Sequence, residues 1–214
     1  LVCKMFENID FGFCSIDIIK TVENEFLVLE INSGVMMKNL IKEYEEIFLE
    51  SPKYYLDTGG RFEIIGNHTD HNHGLCIVAN CSLRIKAVLD KDDEIVDIKS
   101  KGYDRFSFSL SSLSNYNDYE NKTKALVAGI LIKLKELGYK IGGFKAYIES
   151  DIPDGSGFSS SAAVESLIGY IISYLYNNKS IPELVIAKVG QFSENHYFKK
   201  PCGLLDQIGT SFSN

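Results

Sequence analysis

The sequence predicts an α+β fold, in which most of the strands precede most of the helices. Two patterns support this prediction. The first half of the chain contains short apolar runs separated by polar turns, whereas long segments with helical spacing dominate the second half. The chain has 214 residues, of which 45% are hydrophobic and 24% are charged. This is the composition of a globular protein with a sizeable core.

Strands are predicted where apolar residues alternate with polar residues or form short runs. The clearest case is GFKAYIE, in which Phe144, Ala146 and Ile148 alternate with polar neighbours. In contrast, SPKYYLDTGG at residues 51–60 is rich in turn residues and predicts a break. The predicted strands are residues 24–32, 61–66, 75–89, 94–100, 104–110 and 143–149.

Helices are predicted where apolar residues recur every three or four positions. Residues 36–50 show this spacing, and so do residues 123–137, where Gly138 supplies the stop. A third helix is expected to start near Ser160 and to end near Tyr176. Pro182 opens a fourth, which runs to about Phe198.

Charge and composition exclude several classes of partner. The net charge is −7 and no block of basic residues occurs, which argues against a nucleic-acid partner. The sequence contains no run of 18 apolar residues, so no membrane span is predicted. The first residues show no signal-peptide pattern. The five cysteines form no CxxC pair, which favours a reducing compartment. We therefore expect a cytoplasmic protein without a nucleic-acid or membrane partner, and we take it to be a monomer.

The stretch DIPDGSGFSSSAAVESLIGYI, at residues 151–171, is rich in glycine and serine immediately before an apolar helix. Free N–H groups and the helix dipole attract anions at such a helix start. Gly155 and Gly157 would let the backbone approach a ligand closely. A phosphate cradle and an elaborate helix cap both fit this pattern. No G-K-[ST] follows, so the stretch is not a Walker A loop.

The stretch GRFEIIGNHTDHNHG, at residues 60–74, concentrates polar groups on one turn after an apolar strand. Three histidines and Asp70 could bind a metal, although their spacing matches no standard zinc pattern. A solvated loop is the second possibility. A polyol site is the third, because sugar recognition needs several converging donors and acceptors.

The stretch PDGSGFSSSAA resembles the second motif of the GHMP kinases, roughly P-x-x-x-G-L-[GS]-S-S-A. Phe158 stands where leucine is usual. The resemblance implies that this loop wraps the phosphates of ATP and that Ser161 reaches Mg²⁺. The implied ATP-binding residues are Gly155, Ser156, Gly157, Phe158, Ser159, Ser160 and Ser161.

The stretch GRFEIIGNHTDHNHG resembles the signature of the galactokinase-type members, G-R-V-N-L-I-G-E-H-T-D-Y-N-G-G. It differs in that Asn67 replaces glutamate, His71 replaces tyrosine, and Gly59 stands in place of the usual proline. The glutamate accepts a hydrogen bond from the sugar in that family, so the Asn67 change leaves the exact sugar open. The implied substrate-binding residues are Asn67, His68, Thr69 and Asp70.

The stretch FSENHYFKKPCGLLDQIGT resembles a third segment of the same family, AEHxFxGxPCGIMDQ. Cys202, Gly203, Asp206 and Gln207 match it. The resemblance implies that Glu194 binds Mg²⁺ together with Ser161. It also implies that Asp206 is the catalytic residue, with Arg61 beside it to keep it ionised and to stabilise the transferring charge.

Together, these motifs imply ATP- and Mg²⁺-dependent phosphorylation of the C1 hydroxyl of galactose. A sensor of galactose and ATP without catalysis is one alternative, and a kinase for N-acetylgalactosamine is another. The implied fold is the GHMP kinase N-terminal domain, which is similar to ribosomal protein S5 domain 2, with a mixed sheet packed against helices.

The resemblance also suggests how the chain is organised. We expect residues 46–214 to form the N-terminal kinase domain, truncated before the C-terminal domain, so that the chain alone would turn over little or nothing. Residues 1–45 form an extension. Within it, residues 9–35 weakly resemble the tail of an ATP-grasp domain, in which Glu30 and Asn32 would bind metal.

Overall fold

The computed structural model describes residues 14–20, 26–113, 122–153 and 155–213. The chain divides into two compact units, Leu1–Ser51 and Pro52–Asn214, and each is described by itself.

The described residues of the first unit form a hairpin and a helix. Strand β1 (Cys14–Lys20) pairs antiparallel with β2 (Phe26–Ser33), and helix α1 (Gly34–Phe48) follows directly. Residues 9–35, which resemble an ATP-grasp tail, lie partly outside the described residues. The side chains of Glu30 and Asn32 lie outside them as well, so their predicted metal binding stays a prediction.

The second unit is built on a five-stranded mixed sheet in the order β3-β4-β7-β5-β6. Strand β7 pairs parallel with β5, and every other pairing in this sheet is antiparallel. The prediction of a mixed sheet is therefore confirmed. The strands are β3 (Tyr54–Ile65), β4 (Ile77–Asp92), β5 (Ile95–Ser100), β6 (Phe106–Ser109) and β7 (Gly143–Ser150).

The break predicted at residues 51–60 is wrong for most of its length, because Tyr54 to Gly60 belong to β3. This stretch pairs with β4 from Tyr54 opposite Leu89 to Gly59 opposite Arg84. Pairing with a distant strand satisfies its backbone and overrides the local turn preference. The register shifts between Gly59 and Arg61, so the glycine pair marks a bulge rather than the end of the strand.

Among its described residues, the second unit has four α-helices, and three of them were predicted. Helix α3 begins at Ser160 and ends at Tyr176, as the sequence predicts. Helix α5 was not predicted, since its seven residues are too few to show a period. The other two are α2 (Lys122–Glu136) and α4 (Glu183–His196), and a short 3₁₀ helix covers Thr69–Asn72.

The core of the second unit consists of apolar side chains from the inner strands and from the helices. Along β4, Ile85, Ala87 and Leu89 are almost fully buried, as alternation on one sheet face requires. Helix α3 adds Leu167, Ile168 and Ile171, each with no exposed surface. This cluster anchors the helix start at Ser160, and with it the glycine- and serine-rich loop.

In the described part of the chain, no helix is long and apolar enough to cross a bilayer. The side chains of Cys76, Cys81 and Cys202 carry free thiols. Neither observation identifies a compartment, which stays a prediction.

Candidate active site

Arg61 connects strand β3 to the glycine- and serine-rich loop. Its side chain is almost completely buried, with 4% of the residue exposed. The backbone N–H of Arg61 donates to the carbonyl of Phe158 at 3.2 Å, and Nη1 donates to the carbonyl of Gly157 at 2.7 Å. The loop is therefore held against β3 by two bonds from one residue.

Arg61 also contacts Asp206, which lies 145 positions away in the sequence. Nε donates to Oδ1 of Asp206 at 2.9 Å, and Nη2 donates to the same oxygen. The expectation that these two residues lie within side-chain reach is confirmed. Among the described residues, no hydrogen bond engages Oδ2 of Asp206, so that oxygen remains free to accept.

The loop before α3 presents donors to the cleft. Gly155, Gly157 and Ser159 all have positive φ, at 68°, 81° and 56°. The first bond of α3 runs from the N–H of Ala163 to the carbonyl of Ser159, so the amides before it have no partner within the helix. The hydroxyl of Ser159 is buried and makes no hydrogen bond to the described residues. This is the arrangement that binds an anion.

Glu194 is buried next to the loop, with 1% of the residue exposed. Its Oε1 accepts from Ser161 Oγ at 3.3 Å and lies 3.2 Å from Lys200 Nζ. Its Oε2 accepts from Gln207 Nε2 at 2.7 Å. The structure thus brings together Ser161 and Glu194, the two residues that the sequence assigns to a metal.

Glu165 is a second buried carboxylate that sequence reasoning missed. It lies on α3 with 1% of the residue exposed, and its Oε2 accepts from Gln207 Nε2 at 3.0 Å. Burial, and then the nearby charge of Glu194, raise the pKa of Glu165 well above its usual range. The available signal was a single acidic residue within an otherwise apolar helical run.

The segment from Gly66 to Asp70 forms a tight turn at the end of β3. Gly66, Asn67 and His68 all have positive φ, and the hydroxyl of Thr69 donates to the carbonyl of Gly66 at 2.7 Å. His68 and Asp70 line an open cavity of about 620 Å³, the main cavity, whereas Asn67 and Thr69 do not line it. The turn thus presents two of its four predicted substrate-binding residues to the cleft.

Asp70 determines where helix α5 begins. Its Oδ2 accepts from the N–H of Leu205, the first residue of α5, at 2.9 Å. A Cβ atom on Gly203 would lie 1.8 Å from the same oxygen, so only glycine fits there. Asp206 is the next residue of α5, and its position therefore depends on Asp70 as well as on Arg61.

Most of the groups described above surround the main cavity. The turn with His68 and Asp70 lies at its wall together with the anion-binding loop and Asp206. Most of the predicted ligand-binding residues therefore meet in a single cleft. Its lining comprises Arg61, His68, Asp70, His71, residues 155–161, residues 200–203, Leu205 and Asp206.

A second cavity of about 480 Å³ was not predicted. It shares Ser160 and Ser161 with the main cavity, and its walls are largely apolar. Its side chains come from β4–β7 and the flanking helices, which lie far apart in the sequence, so no local motif indicates it. They include Ile85, Tyr103, Phe106, Leu126, Ile148, Val164 and Phe198.

No group of three or more histidine, cysteine, aspartate or glutamate side chains forms a metal site within the described ranges. The histidines of residues 68–73 therefore do not support the alternative of a metal-binding turn.

Two family models match the chain. The galactokinase galactose-binding signature matches residues 42–91, and the GHMP kinases N terminal domain matches residues 125–214. Both matches cover motifs that surround the cleft. Over these residues the chain is similar to the galactokinase-type GHMP kinases. Its predicted fold, the GHMP kinase N-terminal domain, is thereby confirmed.

Curated galactokinases are similar to most of this chain. The galactokinase of Lactococcus lactis subsp. cremoris is 31% identical over 189 residues, which cover 85% of the chain and 46% of that protein. The galactokinase of Lactobacillus helveticus is 33% identical over 175 residues, with 80% and 45% covered. The chain thus spans less than half the length of the curated relatives it matches.

Solved structures give the same result for the fold. Lactococcus lactis galactokinase complexed with galactose superposes with a TM-score of 0.75 and 28% identity, covering 84% of this chain and 47% of that one. The mevalonate kinase of Methanococcus jannaschii has a TM-score of 0.61 at 18% identity, covering 75% and 51%. The second likeness concerns the fold alone.

Proposed function

We propose that this chain forms the galactose- and ATP-binding half of a galactokinase, which transfers the γ-phosphoryl group of ATP to the C1 hydroxyl of galactose. The observation that carries the proposal is the position of Arg61. This one side chain holds Oδ1 of Asp206 and the carbonyl of Gly157 in the same cleft. It therefore fixes the distance between a carboxylate acceptor and an anion-binding loop.

At the sugar end, the turn after β3 supplies the polar groups. His68 and Asp70 line the cleft, and Asp70 keeps Oδ1 available because only its Oδ2 is used by Leu205. We propose that Asn67 and Thr69 contribute to sugar binding indirectly, because they maintain the shape of the turn that carries His68 and Asp70. The likeness to a galactokinase solved with galactose supports a hexose at this end.

At the nucleotide end, residues 155–161 provide backbone donors and hydroxyls for the phosphates of ATP. The second cavity adjoins this loop at Ser160 and Ser161, and its apolar walls suit a purine ring. We propose that the nucleoside lies there, with its phosphates crossing the loop toward Asp206.

The oxygen atoms near the loop fit a magnesium ion. Ser161 Oγ and Glu194 Oε1 lie 3.3 Å apart, and a cationic group, Lys200 Nζ, already lies 3.2 Å from Oε1. Two protein oxygens are sufficient, because Mg²⁺ at kinase sites takes its other ligands from phosphates and water. When bound, the ion would neutralise charge on the β- and γ-phosphates.

Catalysis then depends mainly on position and charge. Oδ2 of Asp206 accepts the proton of the attacking hydroxyl, since Oδ1 is held by Arg61. The guanidinium of Arg61 offsets the negative charge that develops during transfer. Phosphoryl transfer needs little more from the protein than an aligned nucleophile and compensated charge.

The proposal can be tested on the 214-residue chain in two steps. NMR titrations should show galactose shifting signals around His68 and Asp70, and ATP with Mg²⁺ shifting those of residues 155–161. A single-turnover assay with the protein in excess, read by ³¹P NMR, should then show slow formation of galactose 1-phosphate. The slowness is expected, because the relatives are about twice as long.

Each outcome separates the candidate functions. A chain that binds neither ligand contradicts the proposal. Binding of both ligands without any product, in the full-length protein as well as in this chain, favours the galactose and ATP sensor. A preference for N-acetylgalactosamine over galactose favours the related kinase. Light scattering on the same sample tests the expected monomer.

A further inference from the structure

Glu63 is a carboxylate beside the sugar end of the cleft to which no role has been given above. It follows Arg61 by two residues on β3, and the register does not shift between them. Residues two apart on a strand point to the same face of the sheet. Arg61 and Glu63 therefore lie side by side on the face that carries the cleft.

Both oxygens of Glu63 are directed at one residue, His68. Oε1 accepts from the backbone N–H of His68 at 2.9 Å, and Oε2 lies 3.3 Å from the ring Nε2. The carboxylate is largely covered, with 14% of the side chain exposed. It holds a turn in which Gly66, Asn67 and His68 all have left-handed backbone angles, which non-glycine residues adopt only when their surroundings enforce them.

The opposite edge of the same ring faces the catalytic aspartate. Nδ1 of His68 lies 3.8 Å from Oδ1 of Asp206, which is too far for a direct hydrogen bond. His68 lines the main cavity and 52% of its side chain is exposed, so the ring can meet a bound molecule. The ring thus spans the space between Glu63 and Asp206.

The sequence shows why Glu63 is unusual. The signature quoted above has asparagine at the position of Glu63 and glutamate at the position of Asn67. This chain has the two residue types exchanged. One carboxylate is kept beside the turn, but it has moved from the turn itself to the strand that supports it.

We propose that Glu63 is a positioning residue for sugar binding, which acts by fixing the ring of His68. Its carboxylate lies 3.3 Å from Nε2 and favours the tautomer that carries the proton there, so the neutral ring keeps Nδ1, on the side of Asp206, unprotonated and able to accept from a sugar hydroxyl. The inference rests on the proposed function only for the identity of the sugar. The fixed ring itself is a property of the protein without ligand.

The first test therefore needs no ligand. In ¹⁵N-labelled protein at a pH where the ring is neutral, long-range ¹H–¹⁵N spectra report which nitrogen of His68 carries the proton. The chain has only four histidines, and His68→Gln identifies the signal by its loss. We expect almost pure Nε2–H in the wild type and a severalfold lower ratio of Nε2–H to Nδ1–H in Glu63→Asn.

The second test uses the exchange between positions 63 and 67. Glu63→Asn should weaken galactose binding by at least about tenfold, because it leaves His68 without its partner. Asn67→Glu alone should also weaken it, since two carboxylates then crowd one turn. The double variant should return to within about twofold of the wild type, whereas independent sites would show additive losses. Binding of a fluorescent ATP analogue should be unchanged throughout.

Two controls keep the result interpretable. Glu63→Gln keeps the size and an acceptor for the N–H of His68 but removes the charge, which guards against misfolding of Glu63→Asn. Glu149→Gln removes a carboxylate of β7 that pairs with Lys101, and it should change neither readout.

An unchanged ratio of the two ring forms in Glu63→Asn and Glu63→Gln would overturn the proposal, and so would additive losses in the double variant. If the ratio falls but the wild type binds no galactose, the positioning role stands and the proposed sugar is wrong. The two failures are therefore distinguishable.

Discussion

Oδ1 of Asp206 accepts from Nε of Arg61 at 2.9 Å, while Nη1 of the same arginine donates to the loop carbonyl of Gly157 at 2.7 Å. One buried guanidinium thus connects the carboxylate of Asp206, the proposed catalytic group, to the glycine- and serine-rich loop. The residues that it joins, Gly157 and Asp206, both lie within Pro52–Asn214.

Asp206→Asn tests the role of the carboxylate. Asparagine keeps the shape but cannot accept a proton in the same way, so single-turnover formation of galactose 1-phosphate should slow by at least about 100-fold. Galactose affinity should stay within about threefold, because the group acts mainly in the transition state. The matched control is Asp93→Asn, an exposed position at which neither quantity should change. If Asp206→Asn forms galactose 1-phosphate at the wild-type rate, Asp206 is not the catalytic residue.

Gly157→Ala tests the loop through its backbone alone. Gly157 has a φ of 81° and no atom within 4 Å of an added Cβ, so alanine would meet strain but no clash. We expect a loss of roughly 1–2 kcal/mol in the free energy of unfolding and weaker ATP binding.

The control for Gly157→Ala is Gly138→Ala, just after α2. Gly138 has a φ of 86° and equally open surroundings. It should lose similar stability in urea unfolding while binding a fluorescent ATP analogue as the wild type does. Equal ATP affinity in both variants would mean that the loop does not contact the phosphates.

Gly203→Ala tests how Asp70 positions helix α5, which carries Asp206. The added Cβ would lie 1.8 Å from Oδ2 of Asp70, and the carboxylate must then leave the N–H of Leu205. Losing this bond should cost about 1–3 kcal/mol in unfolding experiments and should reduce both galactose affinity and turnover. Asp70→Asn keeps an acceptor for the N–H of Leu205, so it should leave the free energy of unfolding nearly unchanged. It should still weaken the binding of galactose. If Gly203→Ala binds galactose normally, the link between Asp70 and α5 is not used.

Several features of the fold and the site could be predicted because their signal is local. The start of α3 at Ser160 follows from serines and glycines before an apolar period, and the three motifs pointed to Arg61, Glu194 and Asp206. Other features depend on distant partners. Residues Tyr54 to Gly60 have the composition of a turn, and only their pairing with β4 makes them a strand. Helix α5 is too short to show a helical period of apolar residues.

Glu165 could not be assigned from the sequence for a related reason. An acidic residue in a helix usually faces solvent, and nothing local shows that Gln207 and Glu194 will enclose this one. The exchange of residue types at positions 63 and 67 can be seen in the sequence. Its proposed role can be recognised only from the structure, in which His68 lies between Glu63 and Asp206.

Glu165→Gln tests the buried carboxylate pair through the pH dependence of stability. Burial raises the pKa of Glu165 well above its usual 4.5. As the pH rises above about 4.5, the unfolded chain releases this proton and the folded protein keeps it, so the folded state binds more protons. Stability therefore falls with rising pH, by up to about 1.4 kcal/mol per pH unit for one group. Glutamine is neutral and can still accept from Gln207, so the variant should lack this slope.

The measurement is urea unfolding of both proteins at pH 5, 6, 7 and 8. The stability of Glu165→Gln relative to the wild type should increase steadily across this range, because only the wild type loses stability by this route. Glu183→Gln, at an exposed position in the first turn of α4, is the matched control and should show a difference that does not change with pH. A constant difference for Glu165→Gln as well would mean that Glu165 is ionised in the folded protein, and that Gln207 separates two charged carboxylates.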